Sequence, residues 1–168
     1  MIEDVTLKGC LEFAIATEER GAKIYAGLAS TFSANQEIAQ LFSRLAEDEQ
    51  VHRQQFSQFL KNAPSEEKII SSPGERDYLK AMSLSDFFSQ QSGPLRDIEK
   101  IQDRSDALQK VLEFEKATLG FYKAVEDVLG PHEMLSQVIE VEKNHVVVLM
   151  KALLVEGSAF RSLQDRWP

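Results

Sequence analysis

Four stretches of the chain repeat apolar residues at intervals of three and four, the period of a helix that buries one face. The first spans about 6–31 and lines up Leu7, Leu11, Ala14, Ile15, Ala22, Tyr25, Leu28 and Ala29. The second spans about 34–61, with Ile38, Leu41, Phe42, Leu45, Phe56, Phe59 and Leu60 on its stripe. Ser33, followed three residues on by Gln36, reads as a capping box at its start. The third spans about 106–129 and carries Leu108, Val111, Leu112, Leu119, Tyr122 and Val125 behind Ser105 as N-cap. The fourth spans about 131–156. Pro131 suits a first helical position after Gly130, and Leu135, Val138, Ile139, Val146, Leu149 and Leu153 form the stripe that Gly157 ends.

The connections predict the topology. Helices one and two meet near Phe32-Ser33 and helices three and four near Gly130-Pro131, so each pair closes as an antiparallel hairpin. Residues 62–104 between the hairpins hold Pro64, Pro73, Pro94 and many serines, and Ser85-Asp86-Phe87-Phe88 reads as the start of a short helix. This segment is too long for a turn and is expected to cross from one hairpin to the other. The Phe87-Phe88 pair is expected to plug the side of the bundle or to make a dimer contact. A tail over 157–168 is expected to pack through Phe160, Leu163 and Trp167. The fold class is therefore all-α: an antiparallel four-helix bundle of two hairpins joined by a long crossover containing a short helix, in one domain over 1–168.

Polar residues interrupt the apolar stripes in a repeated way. Glu18 precedes Tyr25 by seven residues in the first helix, and Glu115 precedes Tyr122 by seven in the third. The second helix carries Glu49-x-x-His52 and the fourth Glu142-x-x-His145. With 18 Glu and three His in 168 residues, random placement predicts well under one Glu-x-x-His, and two occur in matching helices. All four glutamates lie on the faces that point to the core. Four ionised carboxylates cannot be buried together without compensation. Two divalent cations would balance their four charges, with His52 and His145 adding neutral nitrogen donors. A Glu from each of two helices, joined by Glu-x-x-His from the other two, is the ligand arrangement of dimetal four-helix bundles.

This pattern resembles the rubrerythrin and bacterioferritin branch of the ferritin-like di-iron carboxylate superfamily. The string Glu18-Glu19-Arg20-Gly21-Ala22-Lys23-Ile24-Tyr25 is similar to the first helix of rubrerythrin-type proteins. The resemblance implies a ferritin-like bundle in which Glu18 and Glu115 each bind one metal, Glu49 and Glu142 bridge the pair, and His52 and His145 each bind one metal. It also implies that Tyr25 and Tyr122 donate hydrogen bonds to the ligand carboxylates, although packing residues with hydroxyls on any acceptor would look the same. Two features depart from typical rubrerythrins. The sequence has one cysteine, Cys10, and so lacks their four-cysteine rubredoxin-like module. Where their third helix places another Glu one turn after the first, this chain has Thr118, which makes the ligand set closer to that of bacterioferritin.

Composition narrows the partners. A formal charge of −8 repels phosphate backbones and anionic headgroups, so neither nucleic acid nor a membrane is expected. A lone cysteine excludes an internal disulfide, and the acidic start carries no basic region before an apolar run, so the cytoplasm is the expected location. Asp48, directly before Glu49, is a candidate partner for a ligand histidine, whereas Val141 stands at the matching place before Glu142. Cys10 is expected to pack or stand semi-exposed without a redox role, and His132, after Pro131 near a helix start, to be exposed.

Mixed oxygen and nitrogen ligands suit iron, with zinc or manganese possible. The first expectation is a non-haem di-iron oxidoreductase that reduces peroxide or dioxygen and draws on an external electron donor. The second is a ferroxidase with ferrous iron as substrate, and the third a non-catalytic metal-binding protein. A homodimer is expected by analogy with other bundles of this type.

Overall fold

The structure, a computed structural model, describes residues 6–62, 72–83, 88 and 95–155. Five α-helices account for most of them: α1 (Leu7–Thr31), α2 (Gln36–Asn62), α3 (Pro73–Ser83), α4 (Arg104–Leu129) and α5 (Glu133–Val155). A 3₁₀ turn covers Ile98–Lys100. Among the described residues no helix is long and apolar enough to cross a membrane.

Each helix begins where a side chain or carbonyl can take an orphaned amide. Thr6 caps α1, its hydroxyl accepting from the Gly9 amide at 3.0 Å. At α2 the cap is Asn35, whose Oδ1 accepts from the Ile38 amide at 3.2 Å. At α4 it is Asp103, whose Oδ1 accepts from the Asp106 amide at 2.7 Å. The expected caps Ser33 and Ser105 are therefore each two residues from the observed ones. Carboxamide and carboxylate oxygens reach the amide three residues on as readily as a hydroxyl does, and the turn geometry chose between them. Gly130 ends α4 at φ +87°, a conformation that favours glycine. The chain needs two more residues to reverse, so α5 starts at Glu133 rather than at Pro131, with the His132 carbonyl accepting from the Ser136 amide at 2.9 Å.

The arrangement is a ferritin-like helical bundle. α1 packs along α2, and α4 along α5, as two hairpins. Two clusters of buried residues form the core. One gathers Tyr25 and Leu28 of α1, Phe42 and Leu45 of α2, Leu108 and Val111 of α4, and Leu149 and Leu153 of α5. The other gathers Leu11 and Ala14, Phe56, Phe121 and Val125, and Leu135 and Ile139. Thus the start of α1 shares a cluster with the end of α2, the end of α4 and the start of α5, so neighbouring helices run antiparallel.

The crossover lies on the side of α1 and α4. Its helix, α3, packs on α4 through the fully buried Leu79, and the 3₁₀ turn packs on α1. The short helix expected to start at Ser85 falls mostly outside the described residues. A helix not expected from the sequence, α3, precedes it: Pro73 occupies its first helical position and the Ser72 hydroxyl accepts from the Glu75 amide at 3.5 Å. Phe88 does close the flank of the bundle. Its ring meets those of Phe13 at 5.1 Å and of Phe114 and Phe121 at 6.3 Å, so it touches both core clusters. Ser85, Asp86, Phe87 and the tail 157–168, with Phe160, Leu163 and Trp167, lie outside the described residues.

Candidate metal centre

A polar layer separates the two apolar clusters. It consists of Glu18, Glu49, His52, Glu115, Glu142 and His145, each at most 3% exposed. All six sequence-derived candidates therefore meet at mid-height in the bundle. They form two groups whose ligand atoms lie within 4.8 Å of one another: Glu18, Glu49, His52 and Glu142, and Glu49, Glu115, Glu142 and His145. Glu49 and Glu142 belong to both.

The atoms divide accordingly. His52 Nδ1 lies 3.0 Å from Glu142 Oε1, 3.4 Å from Glu18 Oε2 and 3.6 Å from Glu49 Oε2. His145 Nδ1 lies 3.4 Å from Glu115 Oε2, 3.6 Å from Glu49 Oε1 and 3.8 Å from Glu142 Oε2. Each shared carboxylate thus turns one oxygen to each histidine. Donors held about 2.1 Å from one ion stand roughly 3.0–3.4 Å apart, close to the spacing found within each group.

The fit to metal is tested by the hydrogen bonds that are missing. Among the described residues, seven buried side-chain polar atoms lack a partner, and six of them are Glu18 Oε2, His52 Nδ1, Glu115 Oε2, both oxygens of Glu142, and His145 Nδ1. A buried polar atom without a partner costs about 1–3 kcal/mol. Such a concentration of orphaned acceptors, aimed at two points, fits cations and not an apolar or hydrogen-bonding ligand.

Tyr25 and Tyr122 are not mere packing residues. Tyr25 of α1 donates its hydroxyl to Glu115 Oε1 of α4, and Tyr122 of α4 donates to Glu18 Oε1 of α1. The bonds cross from one hairpin to the other, and each leaves the second oxygen of its glutamate facing the histidine.

The electrostatics follow from burial. Desolvation, with repulsion from the surrounding carboxylates, pushes Glu49 and Glu142 well above the ordinary carboxylate range. Burial also acts to raise Glu115, but the close approach and charge of His145 outweigh it and the group falls below its ordinary value. For His145 burial favours the neutral ring, yet Glu115 and Asp48 outweigh it and raise the group. Both tyrosines are raised, first by burial and then by the carboxylates, so they remain protonated donors.

Space at the site depends on Gly21, one turn after Glu18, since a Cβ there would lie 3.2 Å from Glu49 Cγ. No role for Gly21 follows from the sequence pattern alone, although its i+3 spacing from Glu18 is the signal that places it beside the site. Thr118, at the matching place after Glu115, is buried and donates its hydroxyl to the Phe114 carbonyl at 3.1 Å. Cys10 is buried away from the polar layer, and burial raises its thiol to about 11. His132 is exposed, stacked on Phe59 at 4.2 Å.

The family model described as Rubrerythrin matches residues 9–153. No curated protein and no solved structure matches the chain.

Proposed function

The chain belongs to the rubrerythrin family, and from that premise we propose that it is a non-haem di-iron oxidoreductase that reduces peroxide or dioxygen. The observation that carries this reading is the sharing of Glu49 and Glu142 between two donor groups. In it, Glu18 and His52 would hold one ion, Glu115 and His145 the other, and the two shared carboxylates would hold the pair together. Bound iron would supply the two electrons that reduction of peroxide requires, cycling between ferrous and ferric.

The rest is the work of the chain. Tyr25 and Tyr122 fix the outer glutamates by one oxygen each, so that the other stays aimed at the metal position. The apolar clusters on either side keep bulk water from the polar layer. An external donor would return the electrons, because one cysteine cannot form a rubredoxin-type centre within this sequence.

Thr118 supports a second reading. With its hydroxyl spent on its own helix, it offers no carboxylate for an exchange of ligands during the redox cycle. That favours a ferroxidase, with ferrous iron itself as substrate. Anaerobic stopped-flow mixing separates the two. Rapid ferric formation with peroxide at two irons per chain supports the first, and turnover of many added ferrous ions with dioxygen supports the second. Iron-loaded protein inert to both oxidants would exclude either. Glu49→Ala and Glu142→Ala are expected to abolish paired-metal binding while the helices persist, and two metals per chain in either variant would refute the shared role.

A further inference from the structure

The internal two-fold pattern of the donors breaks down one bond farther out. His145 Nε2 lies 3.3 Å from Asp48 Oδ2, across from α5 to α2. The Asp48 side chain is 50% exposed and that of His145 only 3%, so this bond runs from the polar layer to the edge of the bundle. At the corresponding place before Glu142 stands Val141, whose side chain can neither donate nor accept. His52 Nε2 has no hydrogen-bond partner among the described residues.

The two imidazoles are therefore prepared differently. A carboxylate accepting from Nε2–H keeps the proton on that nitrogen and leaves the Nδ1 lone pair free for a metal. It also fixes the ring plane and makes Nδ1 more basic. For His145 all three effects are in place. For His52 no carboxylate on Nε2 fixes the tautomer, so binding must select the productive form.

We infer that the group of Glu49, Glu115, Glu142 and His145 is the tighter of the two metal sites and fills first, while the group containing His52 takes the second ion and exchanges it. Asp48 is the positioning residue that creates the difference. This rests on the dimetal reading above.

The test is a titration of the metal-free full-length protein with Co(II), followed by visible absorption and by competition with a chelator. Wild-type protein is expected to bind two ions in two steps, the first at least about tenfold tighter. Asp48→Ala is expected to weaken the first step about 10–100-fold and to leave the second in place, so that the steps converge. Asp48→Asn, which keeps an acceptor without its charge, should fall between. Val141→Asp should strengthen the second step. His145→Ala should remove the tight step and His52→Ala the weak one. Far-UV circular dichroism of Asp48→Ala should match wild type, separating positioning from a general loss of structure. Two ions bound in one step of equal affinity, or an Asp48→Ala variant that weakens both steps alike or neither, would overturn the inference and leave the dimetal reading standing. Fewer than two ions per wild-type chain would overturn both.

Discussion

A Cβ placed on Gly21 would stand 3.2 Å from Cγ and 3.3 Å from Cδ of Glu49, and 3.4 Å from the ring of Phe114. Inside an exposed helix, glycine to alanine gains about 1 kcal/mol. Here the added carbon presses on a shared carboxylate, and overpacking costs about 1–3 kcal/mol. Gly21→Ala should thus leave the helix content unchanged but weaken metal binding, measured by competition titration. Tyr25→Phe makes a different test. It removes the donor to Glu115 Oε1 and should destabilise the metal-free protein by about 1–3 kcal/mol in urea unfolding. All six donors were legible in the sequence because each breaks an apolar stripe and each has a counterpart in the other half. The crossed pairing of Tyr25 with Glu115, and of Tyr122 with Glu18, was not, because it depends on how the two hairpins face one another. Periodicity within one helix carries no record of that.

Helices as units were legible for the same reason and their ends were not. Between α1 and α2 the sequence offers Ser33 and Asn35, and before α4 it offers Asp103 and Ser105, all competent caps. The choice is testable at α2. Asn35→Ala should cost about 0.5–2 kcal/mol of stability, and Ser33→Ala close to none, by chemical denaturation. Helix α3 escaped the reading because it is short and buries few residues. Leu79 and Ser83 are its only buried residues, and Tyr78 beside Leu79 is 43% exposed. A stripe that narrow has no visible period. Leu79→Ala should cost about 2–5 kcal/mol while metal stoichiometry stays at two, since α3 packs on α4 outside the polar layer.

At the scale of the molecule, a charged layer sits between two apolar ones, and its protonation ties stability to pH. Glu49 and Glu142 have values well above the ordinary 4.5 in the metal-free fold. Above that value the folded chain holds protons that the unfolded chain has released, so stability falls as pH rises. His145, raised above 6.5, acts in the same direction. Metal must displace these protons, so its binding tightens over the same interval. The melting temperature of metal-free protein should decline from about pH 5 to 8, and the increment given by metal should widen, in paired thermal melts. A flat metal-free profile would contradict the burial of these groups. Each donor group also draws on both hairpins. During synthesis, a nascent chain that has released only α1 and α2 presents Glu18, Glu49 and His52 with nothing opposite them. Both four-member groups need Glu142 of α5, so neither is complete until the second hairpin has folded against the first.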